Sequence, residues 1–260
     1  MKMKVILNIG VAAFTTIAFA ACGKDDNNSG GSGSGNQQPA SPSARILVAD
    51  LAPLNPNFTL SKTQKGTAVV SIVGDKIDVL VSATSLDPSL MHMGHIHKGD
   101  RCPNTVTDDV NGDGVMDVVE GIPAYGAILV DFGADISSFA SAQKGGDPTA
   151  DAMGMVNYRG TGSFQSLVDD LHNRPELPPA TGVGKLAVNE PFVAEMGVIV
   201  IHGIFPATAL PATVASVTGL SPQESIPVLC GRLRLQGTVN PAPSIGVPNA
   251  TPVPIMTPAI

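Results

Sequence analysis

His92-Met93-Gly94-His95-Ile96-His97 holds three of the five histidines of a 260-residue chain. In an extended strand the side chains alternate between faces, so His95 and His97 project to one side with their Cα atoms about 7 Å apart. Two imidazoles placed this way on one rigid element can converge on a metal ion. The plainer alternative is a polar strand edge that happens to carry histidines. Two further histidines bear on the choice. His202 ends the apolar run Val198-Ile199-Val200-Ile201, where an unpaired imidazole is costly. His172 closes a helical pattern four residues after Val168, so it can turn inward, although the helix dipole alone also favours a histidine there.

Outward from this stretch, runs rich in β-branched residues predict strands at Arg45–Ala49, Thr67–Val73, Ile77–Ala83, Ala127–Phe132, Met153–Arg159, Val198–His202 and Val228–Leu235. Gly74-Asp75-Lys76, between two of them, reads as a hairpin turn. One helix stands out: Ser163 as N-cap, then Phe164, Leu167, Val168 and Leu171 on one face, ended by Asn173 and Pro175. The connections 101–123 and 174–195 are long and carry no strong periodicity. With 28 Gly, 22 Pro, no Trp and 4% aromatic residues, the chain needs many turns and a core of Val, Ile, Leu and Ala. These features predict an all-β fold with long loops and one short helix, in a single domain over 44–239. A formal charge of −7, with 15 Lys and Arg spread thinly, argues against nucleic acid as a partner. No nucleophile-elbow or HExxH motif supports a hydrolase.

The N-terminus reads as an export signal over 1–21. Lys2 and Lys4 precede an apolar run from Val5 to Ala18 that is short for a membrane span and ends in small residues. Phe19-Ala20-Ala21-Cys22 resembles the bacterial lipobox, which implies a lipid on Cys22 and anchorage to a membrane without a spanning helix. The competing reading is an ordinary secretory signal with a chance cysteine. Cleavage removes Lys2 and Lys4 and takes the formal charge from −7 to −9. Residues 22–43, rich in Gly and Ser, read as a flexible tether with a mean reach of about 25 Å. Lys24-Asp25-Asp26 resembles a lipoprotein surface-export signal, and Gly23 beside the cysteine favours the outer membrane by resemblance to sorting rules. The expected location is therefore an outer-membrane lipoprotein, on the periplasmic or the cell-surface face. Residues 240–260 hold six prolines and no charge, a disordered, polyproline-type tail. With Cys22 taken by lipid, Cys102 and Cys230 remain as an even pair in an oxidising compartment, where a disulfide is the default. A thiolate metal site is the weaker alternative, because neither cysteine sits in a CxxC spacing.

The order of these features resembles copper/zinc superoxide dismutases. It comprises His92-x-x-His95-x-His97, a cysteine soon after, a β-branched strand ending in His202, and Leu229-Cys230-Gly231 near the end. The resemblance spans roughly residues 66–235. It implies a Greek-key β-sandwich or barrel, copper on His95, His97 and His202, and His92 bonding to backbone rather than to metal. It also implies a Cys102–Cys230 disulfide. The zinc loop of that family needs several histidines and an aspartate, and only His172 lies between His97 and His202. Zinc is therefore not expected, and His172 is a candidate for the fourth copper position. The arginine that attracts superoxide in the family is replaced by Pro227, with Arg232 just beyond the cysteine. A second resemblance, to CHRD β-sandwich modules of secreted proteins, rests on His95-Ile96-His97-Lys98-Gly99 and Gly231-Arg232-Leu233-Arg234.

Asp109 to Glu120 fits the twelve-position calcium-loop template at every ligand position. Asp109, Asn111 and Asp113 supply side-chain oxygens, Val115 its carbonyl, Asp117 a direct or water-mediated contact, and Glu120 a bidentate carboxylate. Gly114 permits the sharp turn. Pro103 before the loop and Gly121-Ile122-Pro123 after it argue against flanking helices, so a single structural calcium loop is expected. Two functions follow. One is a lipid-anchored metal-binding protein with a superoxide dismutase-like copper site, dismutation of superoxide being its candidate reaction. The other is a calcium-stabilised β module for adhesion or metal sequestration, without turnover.

Overall fold

The computed structural model describes residues 44–239. The predicted signal segment, Cys22, the tether and the proline-rich tail lie outside the described residues. Nine antiparallel strands form one curled sheet: β1 (Ala44–Pro53), β2 (Lys65–Val73), β3 (Lys76–Thr84), β4 (Gly94–His97), β5 (Ile128–Asp131), β6 (Val156–Ser163), β7 (Val198–His202), β8 (Pro227–Arg232) and β9 (Arg234–Val239). Their spatial order is β5-β4-β7-β8-β1-β2-β3-β6, with β9 beside β1. The neighbours β3/β6 and β4/β7 are far apart in sequence, so the chain crosses the sheet end by long connections of Greek-key type. The two edge strands approach without a ladder between them. Phe132, just after β5, stacks on Tyr158 of β6 at 5.0 Å, and the Tyr158 hydroxyl donates to the Gly133 carbonyl at 2.8 Å. The result is a half-barrel curled around one apolar core.

Strict alternation explains the β1-β2-β3 half. Leu47, Ala49, Ala68, Val70, Ile72, Ile77, Val79 and Val81 all point into the core, and the register opposes Val70 to Val79. The other half is built differently. β7 is buried along its whole length. Ile199 and Ile201 face the core, whereas Val198 and Val200 face outward against Leu54, Tyr125 and Cys230. That second cover is the 98–126 connection, held to β8 by the Cys102–Cys230 disulfide with Cα atoms 5.8 Å apart. An uninterrupted apolar strand is thus a strand covered on both faces.

Two expectations are corrected here. The described residues contain α1 (Val118–Tyr125), α2 (Phe139–Ala142), α3 (Phe164–Asn173) and α4 (Pro222–Ser225), not one helix. α1 begins within the last positions of the acidic loop, despite Gly121 and Pro123. Asp117 caps it, accepting from Val119 N at 2.8 Å and Glu120 N at 2.9 Å, while the Glu120 carboxylate reaches back to Asp117 N. Gly121 is required by packing, since a Cβ there would lie 2.3 Å from the Tyr125 ring. The buried Tyr125 hydroxyl donates to the Val118 carbonyl and closes the helix on itself. Capping and tertiary burial therefore outweigh an interior proline, whose cost is about 3 kcal/mol. Second, the single strand expected over Val228–Leu235 is two. Leu233 is fully buried and its N–H bonds to the Gly197 carbonyl, so the chain breaks there: β8 pairs with β7 and the end of β1, and β9 pairs with the start of β1.

Candidate metal centre

β4 pairs with β7 so that His95 opposes Val200 and His97 opposes Val198. Opposed residues share a face, and alternation along β7 puts His202 on the same outer side as Val198 and Val200. On the opposite face, Gly94 lets Phe132 pack against β4, because a Cβ there would meet the Phe132 ring at 2.4 Å. The three imidazoles gather with ring centroids 5.1 to 6.1 Å apart. One ligand atom from each lies within 4.8 Å of the others, and all three residues are buried.

The tautomers follow from the hydrogen bonds. His97 Nδ1 faces the Gly126 carbonyl at 2.8 Å and His202 Nδ1 faces the Ser225 carbonyl at 2.7 Å, so each carries its proton there. His95 Nε2 lies 3.2 Å from the Asp131 carboxylate. The remaining nitrogens, His95 Nδ1, His97 Nε2 and His202 Nε2, are buried and have no hydrogen-bond partner. Three unpaired buried acceptors in one place are expensive unless something electrophilic fills the space between them. Burial holds the His97 ring well below the ordinary imidazole range, helped by the neighbouring His95 and His202 and opposed by the bond to Gly126. Burial, then His95, brings His202 down to about 3. The His97 and His202 rings are therefore neutral lone-pair donors, the form in which imidazole binds a metal.

Asp131 is the residue that sequence reasoning missed. Its register opposite His95 places it under Nε2, and the Gln143 amide donates to its other oxygen. A carboxylate behind a histidine fixes which nitrogen faces the ion. The available signal was the one used for His202, a polar residue closing the apolar run Ile128-Leu129-Val130.

The other predicted residues divide as follows. His92 stands outside the group, its ring nitrogens 3.1 Å from the His202 carbonyl and 3.0 Å from that of Asp87. His172 does not approach the triad, which corrects its assignment as a fourth ligand. Its Nε2 lies 2.8 Å from the Glu190 carbonyl. The physical reason is that α3 turns Leu167 and Leu171 into the inner core, whereas the triad occupies the outer face of the sheet. Arg232 is exposed at the end of β8 and does not line the cavity beside the triad.

In the acidic loop the side chains organise backbone. Asp109 accepts from Gly112 N and Gly114 N, Asn111 from Asp113 N, and Asp113 from Val115 N. Glu120 accepts from Val110 N and Asn111 N, and Asp117 accepts from Ala215 N as well as capping α1. Among the described residues, only the histidine triad forms a group of three or more His, Cys, Asp or Glu with ligand atoms this close together.

A cavity of about 400 Å³ opens onto the triad. Its walls are mostly apolar, with Ile122, Ile128, Phe139 and Val183 among them, and its charged lining residues are Asp131 and Asp147. Among the described residues, no Lys or Arg lines it. Burial, and then the charge of Asp131, raise the Asp147 carboxyl above its usual range.

No protein-family model matches the chain, and no curated protein does. Solved structures similar to it include two from Bacillus subtilis. A double mutant of an SOD-like protein is 15% identical with a TM-score of 0.36, covering 72% of this chain and 96% of that one. An SOD-like protein is 13% identical with a TM-score of 0.33, covering 71% and 96%.

Proposed function

We propose that the protein is a lipid-anchored, extracytoplasmic copper-binding protein, with the ion held by His95, His97 and His202. The observation that carries this reading is the set of three buried imidazole nitrogens without a partner, with His97 and His202 locked through their other nitrogen by backbone carbonyls and His95 set against Asp131. Imidazole suits copper, zinc, nickel and iron, and copper(II) stands highest among the divalent ions for such a donor set. Copper supplies one-electron redox chemistry when bound. The chain's own contribution is to hold His97 and His202 neutral, to orient His95 through Asp131, and to shield the site with apolar walls.

The same cavity argues for binding over fast dismutation. Steering of an anion needs positive potential, worth 10- to about 1,000-fold in on-rate, and here the charged lining is acidic. Calcium at Asp109–Glu120 is the second part of the reading: a cation there would draw the loop oxygens together and order the segment that leads into α1. The lipid on Cys22 is the third part, supported by the sequence alone. The test is direct. The full chain, purified in detergent, is expected to bind one copper with the spectrum of a histidine site and to dismutate superoxide slowly. Retention of copper by the His95→Ala/His97→Ala variant would remove the proposed site. Rapid dismutation by the copper form would overturn the preference for binding.

A further inference from the structure

Four alternate residues of one extended segment, Met91, Met93, His95 and His97, line the cavity. Side chains two residues apart share a face, so these four make a single row. The intervening residues point elsewhere. His92 is tied to the His202 and Asp87 carbonyls, Gly94 lies under Phe132, and Ile96 belongs to the inner core. Exposure falls along the row from solvent to the triad: Met91 is 51% exposed, Met93 is half-buried, and His95 and His97 are buried.

A methionine often fills an irregular gap in an apolar core. That account fits poorly where half of the Met91 side chain is in solvent at the mouth of a cavity leading to three unpaired nitrogens. A thioether is a soft, uncharged donor that suits copper(I) and is a poor ligand for harder divalent ions. The acidic lining and the absence of a lining Lys or Arg favour the approach of a cation along the same path.

We propose that Met91 and Met93 are thioether ligands through which monovalent copper reaches the triad, with Met93 remaining as a ligand in the cuprous state. The inference rests on the copper reading of the triad. The ion enters as copper(I), so uptake needs no electron donor. The side chains of Met91 and Met93 exchange it onward to His95 Nδ1, His97 Nε2 and His202 Nε2.

The experiment uses the full chain in detergent and the variants Met91→Leu and Met93→Leu, which conserve volume, with thermal melting to verify folding. Copper(I) affinity is measured by competition with bathocuproine disulfonate, and copper(II) affinity by competition with glycine. Met93→Leu is expected to lower copper(I) affinity about tenfold and to leave copper(II) affinity within about threefold. X-ray absorption of the cuprous wild type is expected to show a Cu–S shell that Met93→Leu removes. Met91→Leu is expected to slow copper(I) uptake. Absence of the Cu–S shell in wild type, or a parallel fall in both affinities, overturns the proposal. If the wild type binds no copper in either state, the triad reading fails with it. If His95→Ala abolishes binding while Met93→Leu changes nothing, only the thioether inference fails.

Discussion

Replacing Cys102 and Cys230 by serine tests how the outer cover of β7 is held. The two residues are 128 apart in sequence, so the cross-link removes a long loop from the unfolded ensemble. In the chain-entropy model that separation corresponds to about 5 kcal/mol at 25 °C. A domain of this kind has a total stability of about 5–15 kcal/mol, so the loss is a large share of the whole. The structure adds a local consequence. The segment pinned by Cys102 covers Val198 and Val200, which are both fully buried, and it carries Gly126, whose carbonyl orients His97. Guanidinium unfolding of the oxidised wild type and the double-serine variant, with linear extrapolation, should show a loss of about 4–5 kcal/mol. Hydrogen exchange should show reduced protection over residues 98–126, and copper affinity should fall with it. A stability change under about 1 kcal/mol at constant m, with unchanged protection, would refute the claim that this bond secures the outer cover.

Asp131→Asn should weaken copper binding about 10- to 100-fold without unfolding the protein, because the amide no longer fixes His95 as a carboxylate does; equal affinity in a competition titration counts against that role. Ile201→Ala, a truncation at a fully buried core position, should cost about 2–5 kcal/mol in denaturant unfolding. Asp147 is held above its ordinary value of 3.8, so the native state binds its proton more tightly than the unfolded chain does. Its linkage therefore makes stability fall as pH rises from about 4 through the raised value, and Asp147→Asn should flatten that slope in the copper-free protein. An unchanged pH dependence would show that this carboxyl is not perturbed. Chelation of calcium should lower the melting temperature of the wild type and leave Glu120→Gln unaffected; an identical response in both proteins would argue against the loop at 109–120.

Much of the fold was legible because period-2 alternation is a local property. β2 and β3 could be read from Thr67–Val73 and Ile77–Ala83, since one face is core and the other solvent. The helix at Ser163 was equally plain, since its cap and apolar face are contiguous in sequence. α1 was not legible, because a glycine and a proline speak against a helix and only the burial of Tyr125 and the Asp117–Glu120 cap overrule them. The split between β8 and β9 was also hidden, since it depends on which strand lies alongside.

For the site, the sequence by itself determined that His95 and His97 share a face and that His202 ends a buried strand, because alternation and apolar runs are read within a few residues. It also supplied the pairing of Cys102 with Cys230. Only the tertiary structure decided that His202 reaches the pair while His172 turns away. It alone put Asp131 behind His95, and it left the cavity charge acidic rather than basic. The reason is register and layer. Which strand lies beside β4, and which side of the sheet a helix packs against, are set by contacts between residues far apart in the chain. No local pattern carries that information.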